Sequence, residues 1–201
     1  MSEPRTDFSA PPERGASASP SFGKRFLRGL SEVLQTLLIA VILFEVVNFV
    51  TARIRVEGNS MEPSLHDGEF VVVNRLAYRW SPPQRGDIIV FYAPPDPGRR
   101  FIKRIIGLPG DSIRISGGHV YVNQVEISEP YILAPPRYSG SWTVGQNELF
   151  VLGDNRNNSD DSTSWGMLPM NMVIGKAILV YWPYSDVGMI PHYNLAASAS
   201  N

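Results

Sequence analysis

The 201-residue chain contains no cysteine. That excludes a thiol nucleophile, a disulfide framework and cysteine-ligated zinc. Histidine is scarce. His66, His119 and His192 stand far apart, without the short spacings that hold a metal. An excess of one charge sign is missing too: 18 Lys and Arg face 19 Asp and Glu. The basic surplus of a nucleic-acid binder is therefore absent, and no nucleic-acid partner is expected. There is no internal repeat.

Long apolar runs are confined to one place. Residues 1 to about 22 are rich in Ser, Pro and Ala. Such a segment cannot bury enough apolar surface to offset its ordering entropy. Val33 to Val50 is the longest apolar stretch, close to the roughly 20 residues that cross a bilayer. Gln35, Thr36, Glu45 and Asn48 interrupt it. Glu45 lies near the far end, where its carboxyl reaches the interface or stays protonated. Arg5, Arg14, Lys24, Arg25 and Arg28 precede the stretch, whereas Arg53 and Arg55 follow it. The positive-inside rule places the N-terminus in the cytoplasm and the rest outside. An interfacial or buried helix, or a signal peptide cleaved near Val50-Thr51-Ala52, are the alternatives. The expected organisation is a disordered cytoplasmic tail with a basic flank over 1–28 and a transmembrane anchor over 29–52. An extracytoplasmic domain over 53–190 and a flexible tail over 191–201 follow.

From Arg53 onward the pattern becomes short alternating runs broken by Gly, Pro and Asn. Phe70–Asn74, Asp87–Tyr92, Phe101–Ile106, Glu148–Leu152 and Val173–Trp182 read as strands. Ala93 to Gly98 reads as a loop. Ser112–Ser116 and His119–Val122 flank Gly117-Gly118, a hairpin signal. The expected fold is mainly β, an antiparallel β-sheet domain preceded by one N-terminal transmembrane helix.

Three blocks carry chemistry. Ser60 lies in the turn-forming Gly58-Asn59-Ser60-Met61-Glu62-Pro63. A serine hydroxyl needs a neighbour to take its proton, and such a loop also brings backbone N–H groups near a developing oxyanion. Lys103 lies in Phe101-Ile102-Lys103-Arg104-Ile105-Ile106. In extended backbone, Phe101, Lys103 and Ile105 share one face and Arg104 points the other way. Apolar surroundings lower a lysine pKa, and moving it from about 10.4 toward 8 costs about 3 kcal/mol. By periodicity alone, Lys103 reads first as an ordinary edge-strand surface lysine. The third block, Gly153-Asp154-Asn155 through Ser159, Asp161 and Ser162, reads by itself as a polar loop.

In combination and order, these blocks resemble the type I signal peptidases, membrane proteases that remove signal peptides from exported preproteins. The resemblance covers the anchor and nearly all of residues 30 to 185. It rests on Ser60-Met61-Glu62-Pro63, Arg85-Gly86-Asp87-Ile88, Lys103-Arg104 with Gly107-Leu108-Pro109-Gly110-Asp111, and the Gly153 block. It implies Ser60 as nucleophile, Lys103 as general base and Ser159 as the hydroxyl that orients the amine. The Ser60 N–H would be one oxyanion donor. Gly58 stands where some members have a serine hydroxyl, leaving its N–H as the only second donor it offers. Thr163 follows Asp161-Ser162 where the family often has arginine, so an ion pair between that arginine and Asp161 is lost. Arg104 and Asp154 are expected to form a supporting ion pair. The resemblance also implies a catalytic β fold shared with repressor-type Ser-Lys proteases, and acyl transfer without metal or cofactor. Substrates would bind extended beside β-strands, with small side chains at −1 and −3. Expected partners are preprotein signal peptides and the lipid bilayer, with a secretion translocon nearby only. The expected location is the cell membrane, single-pass, with the catalytic domain extracytoplasmic.

Competing readings are a self-cleaving repressor-type protease and a membrane-anchored β-domain that only binds. The first normally carries a DNA-binding helical domain, which residues 1–52 do not supply. His66-Asp67 invites a Ser-His-Asp reading across a short reach. Leu76, Tyr78 and Trp80 alternate as an interfacial patch or a core strand. Tyr131, Trp142, Trp165 and Tyr181 read as packing.

Overall fold

The computed structural model describes residues 22–193 and residue 195, with side chains from residue 26 onward. Most of the expected N-terminal tail, Arg5, Arg14 and the side chains of Lys24 and Arg25 lie outside the described residues. So do Asn194 and residues 196–201 of the expected C-terminal tail. The chain divides into one unit up to Glu45 and a second from Val46 onward.

The first unit holds most of helix α1, Phe22–Val50. Phe26–Val50 comprises 25 residues of mean hydropathy 2.3. At 1.5 Å per residue it runs about 37 Å, enough to cross a hydrocarbon core of about 30 Å. Leu27, Val33, Leu38, Val41 and Phe44 are all exposed. A helix that is apolar all round is suited to lipid or to a large protein core. Thr36 Oγ1 donates to the Glu32 carbonyl at 2.9 Å, so this polar side chain bonds to its own helix. The anchor expected to reach residue 52 stops at Val50. Thr51 and Ala52 are instead paired with Asn74 and Val73 in a sheet.

The second unit is built from strands: β1 Thr51–Arg55, β2 Phe70–Asn74, β3 Ile88–Ala93, β4 Asp96–Gly107, β5 Ser112–Ser116, β6 His119–Val122, β7 Val125–Glu126, β8 Gly140–Thr143, β9 Glu148–Leu152, β10 Leu168–Pro169, β11 Val173–Trp182 and β12 Gly188–Met189. A single helical turn, α2 Ser162–Trp165, lies between β9 and β10. The larger sheet has the order β1-β2-β11-β3-β4-β9-β10, with β12 on β11; the smaller is β7-β6-β5-β8. Every pairing is antiparallel. The mainly antiparallel β fold is therefore as expected, and the Gly117-Gly118 hairpin joins β5 to β6 with Ser116 opposite His119.

Alternation along the strands explains the core. In β2, Val71 and Val73 are fully buried and the intervening residues are not. They pack with Met61, Leu65, Ile88, Val90 and Ile102. β4 is buried on both faces from Ile102 onward. Ile102 faces that cluster, Ile106 joins one with Phe150 and Leu152, and Ile105 joins one with Ile89 and Phe91.

Three local expectations change. The Ala93–Gly98 loop shrinks to a turn at Pro94-Pro95, and Asp96 already pairs with Ala93. Two prolines fit a turn because their φ is preset and they donate no N–H. Residues 75–79 are turn, not strand; Tyr78 donates to Asp87 Oδ2 at 3.0 Å, and Trp80 is exposed. The tail expected to be flexible from 191 is packed at its start. Tyr193 sits against Tyr131, and Leu195 is buried in the core cluster of Ile106.

Candidate active site

Ser60 lies in the connection between β1 and β2, and Met61 and Leu65 hold that connection down as fully buried anchors. The Leu65 N–H donates to the Met61 carbonyl at 2.9 Å. The Gly153 block secures it from the other side. The Asn155 N–H donates to the Ser60 carbonyl at 3.0 Å, and Asn155 Nδ2 to the Asn59 carbonyl at 3.1 Å. Gly153 itself approaches so closely that a Cβ there would overlap Ser159 and the Ser60 carbonyl.

Lys103 sits on β4 opposite Ile89 of β3. Only 4% of it is exposed. Its Nζ donates to Ser60 Oγ at 2.7 Å and to the Ile102 carbonyl at 3.0 Å, and stands 5.3 Å from the centre of the Phe101 ring. Burial lowers its pKa to about 8, against the opposing pull of Asp161, Asp160 and Asp154. A neutral amine in contact with a serine hydroxyl is competent to remove its proton.

Arg104, on the opposite face of β4, is fully buried. Its Nε donates to Asp154 Oδ1 at 2.8 Å and its Nη2 to Oδ2 at 2.7 Å, a two-pronged ion pair. Nη1 donates to the Gly86 carbonyl at 2.9 Å, and Nη2 also reaches Ser64 Oγ at 3.3 Å. One guanidinium thus ties the lysine strand to the serine loop and to the Gly153 block.

Asp161 caps α2. Its Oδ1 accepts from the Thr163 N–H at 3.1 Å and the Thr163 hydroxyl at 2.8 Å, and its Oδ2 from the Gly153 N–H at 3.1 Å. Thr163 therefore serves Asp161 by neutral hydrogen bonds. The Ser162 hydroxyl accepts from the Val151 N–H at 3.0 Å.

Two expected roles meet a different geometry. The Gly58 N–H donates to Asp67 Oδ1 at 2.8 Å, so it is occupied and not free to hold an oxyanion. Ser159 Oγ is buried and has no hydrogen-bond partner among the described residues. The amine's bonds run instead to Ser60 and the Ile102 carbonyl. His66 also stands apart from the serine chemistry: its Nδ1 meets Glu69 Oε1 at 3.2 Å.

The sequence reading missed a second buried ion pair. Arg156 Nη1 and Nη2 donate to Glu129 at 2.7 and 2.6 Å, and its Nε donates to the Gly153 carbonyl at 3.0 Å. Tyr131 Oη donates to Glu129 Oε1 at 2.9 Å, and its ring lies 4.1 Å from the Arg104 guanidinium carbon. The one local hint was a charged Arg156 inside a small-residue loop. Nothing near Glu129 announces its partner.

Ser60 and Lys103 open onto a cleft of about 270 Å³ lined also by Glu57, Arg99, Arg100, Phe101, Ile102 and Asp160. β9 pairs with β4 only from Arg104 onward. The edge of β4 turned away from β3 therefore has no strand partner over 99–103 among the described residues, and a segment added there gains backbone hydrogen bonds.

The family model described as Signal peptidase, peptidase S26, matches residues 30–182. The chain is 35% identical over 186 residues to Signal peptidase I of Leptolyngbya laminosa, covering 89% of this chain and 90% of that protein. It is 42% identical over 167 residues to Probable signal peptidase I-2 of Synechocystis, covering 79% and 76%. With Signal peptidase I of Bacillus caldolyticus it shares 39% identity over 153 residues, covering 69% and 83%. Among solved structures, a signal peptidase I from Enterococcus faecalis V583 aligns at 35% identity and a TM-score of 0.44, covering 47% of this chain and 95% of that one. By the extent of the family match and the identity to these relatives, the chain belongs to the signal peptidases of family S26, which are serine endopeptidases.

Proposed function

We propose that Ser60 and Lys103 are the catalytic dyad of this signal peptidase. The observation that carries the reading is the 2.7 Å contact of a buried, apolar-shielded lysine amine with the serine hydroxyl. Neutral Lys103 takes the hydroxyl proton as Ser60 Oγ attacks the scissile carbonyl. The resulting ammonium returns that proton to the leaving amine, and an acyl ester remains on Ser60. Lys103, neutral again, then activates water to hydrolyse the ester. The Ser60 N–H is the proposed oxyanion donor. Ser159, whose buried hydroxyl has no partner among the described residues, is the group proposed to steady the amine during turnover. Arg104, Asp154, Asp161 and Ser162 act as supports that fix the loops.

The substrate is an exported preprotein. Its segment before the cut adds as a strand along β4 residues 99–103, and small side chains at −1 and −3 fit the shallow cleft. α1 anchors the enzyme in the cell membrane, with the N-terminus cytoplasmic and the domain from Thr51 outside. The basic residues before the apolar stretch favour that orientation.

The test is cleavage of a preprotein with an Ala-x-Ala site by the full chain in detergent. Ser60→Ala and Lys103→Ala should be folded and inactive, and His66→Gln should remain active. Near-full activity of Lys103→Ala would remove the lysine from the base role. An uncut preprotein with the unaltered enzyme would remove the cleavage reading.

A further inference from the structure

We infer that Tyr193, on the segment that follows the last strand, is a positioning residue for catalysis: it completes the cage that holds Arg104. The inference rests on the reading of Ser60 and Lys103 as the dyad.

Three independent contacts place this segment on the dyad's support. The Tyr193 ring lies 5.3 Å from the Arg104 guanidinium carbon and 5.1 Å from the Tyr131 ring, which itself stands 4.1 Å from that carbon. Two neighbouring aromatic rings therefore lie against one buried cation, an arrangement favourable when the cation is out of water. The backbone is as close as the ring. A Cβ added to Gly86 would overlap the Tyr193 carbonyl and meet Leu195 at 3.3 Å. Gly86 is also the residue whose carbonyl accepts from Arg104 Nη1 at 2.9 Å. Finally, Leu195 is buried in the core cluster of Ile106, Phe150 and Leu152, which pins the far end.

The arrangement gives the Arg85-Gly86-Asp87 motif a purpose. Gly86 has a φ of +94°, which favours glycine, and the Tyr193 carbonyl and Leu195 lie directly against it, so a larger residue is disfavoured twice over. Arg85 Nη1 donates to the Ile106 carbonyl at 2.6 Å, and Asp87 accepts from Lys176 Nζ at 2.6 Å, so both neighbours secure the turn that presents the Gly86 carbonyl. With Tyr193 in place, Arg104 has one orientation, and through it Ser64 and Asp154 each have one position. Without it, water gains access to the guanidinium and the serine loop loses a fixed tether. The substrate cleft is lined by Arg99 to Lys103 and not by residue 193, so binding is untouched.

The experiment compares kcat and KM of the full chain in detergent for Tyr193→Ala and Tyr193→Phe, well below each variant's unfolding midpoint. The contacts to Arg104 and Tyr131 are made by the Tyr193 ring, so the phenylalanine variant should keep wild-type kcat. The alanine variant should lose roughly three- to thirty-fold in kcat, the range that a desolvated cation–aromatic contact supports, with KM unchanged. In an Arg104→Lys background the same Tyr193→Ala change should cost much less. Wild-type kcat in a folded Tyr193→Ala enzyme would overturn the inference. A loss equal in Phe and Ala, or one confined to KM, would also overturn it. Ser60→Ala is run alongside: if it retains activity, the dyad reading fails irrespective of Tyr193.

Discussion

Lys103 and Arg104, adjacent on β4, grip the Ser60 loop from opposite faces of the strand. Lys103 Nζ meets Ser60 Oγ at 2.7 Å and Arg104 Nη2 meets Ser64 Oγ at 3.3 Å. The two-residue period of a strand makes this division of labour inevitable. One face presents the amine to Ser60 for the proposed proton transfer, and the other holds the loop in place. Four consequences can be measured.

Lys103 should limit stability as well as support catalysis. Its pKa is about 8 in the folded protein and 10.5 when unperturbed. Between those values the unfolded chain binds more protons, so stability rises with pH across that window. Below about 8 the folded protein holds an ammonium in a site that disfavours it, at a cost of about 3 kcal/mol. Lys103→Met should therefore abolish cleavage yet raise the unfolding midpoint at neutral pH, and the gain should vanish above pH about 10.5. Thermal unfolding of both forms at neutral and alkaline pH checks this; a less stable methionine variant at neutral pH contradicts it.

The rate should follow the neutral amine. kcat/KM is expected to rise as pH increases through about 8 and then level off. Asp160 lines the cleft and raises the Lys103 pKa. Asp160→Asn should consequently move the rise to lower pH. Initial-rate profiles of the two enzymes decide it, and an alkaline displacement in the asparagine variant refutes the assignment.

Arg104 and Asp154 are both fully buried, so neither tolerates loss of the other. Arg104→Met or Asp154→Leu alone should destabilise the fold by about 3–5 kcal/mol, because an unpaired buried charge is left behind. The double variant should lose much less than the sum. Chemical denaturation of the four proteins gives the coupling. Simple additivity means that the pair does not act as a unit.

Gly153→Ala tests the close approach of the third block to the serine. Its Cβ would overlap Ser159 and the Ser60 carbonyl, so one of the loops must move. A loss of about 1–3 kcal/mol in stability is expected from such overpacking, with a fall in kcat that exceeds any change in KM. Unfolding and steady-state kinetics report the two effects separately, and an alanine variant with unaltered kcat rules out tight coupling of these loops.

Much of the fold was legible in the residue order because it rests on local physics, whereas the candidate dyad was legible only through the resemblance carried by its ordered blocks. The alternation of Phe70–Asn74 and the Gly117-Gly118 turn determine strands and hairpin through nearest neighbours. The same period puts Lys103 among apolar side chains and sends Arg104 to the other face. What the tertiary structure alone decided are contacts between distant segments. Thr51-Ala52 leaves the apolar helix for a sheet because Val73 and Asn74 offer partners. The Gly58 N–H is taken by Asp67, which no local pattern announces. Glu129 finds Arg156, and Tyr193 finds Arg104, only after the chain has closed on itself. The sequence by itself determined which blocks stand in which order, and it is that order, through the resemblance it carries, that singled out Ser60 and Lys103; strand period alone leaves Lys103 a surface lysine. Which groups are occupied, buried or left without a partner was decided by packing, because desolvation and hydrogen-bond competition exist only once remote segments meet.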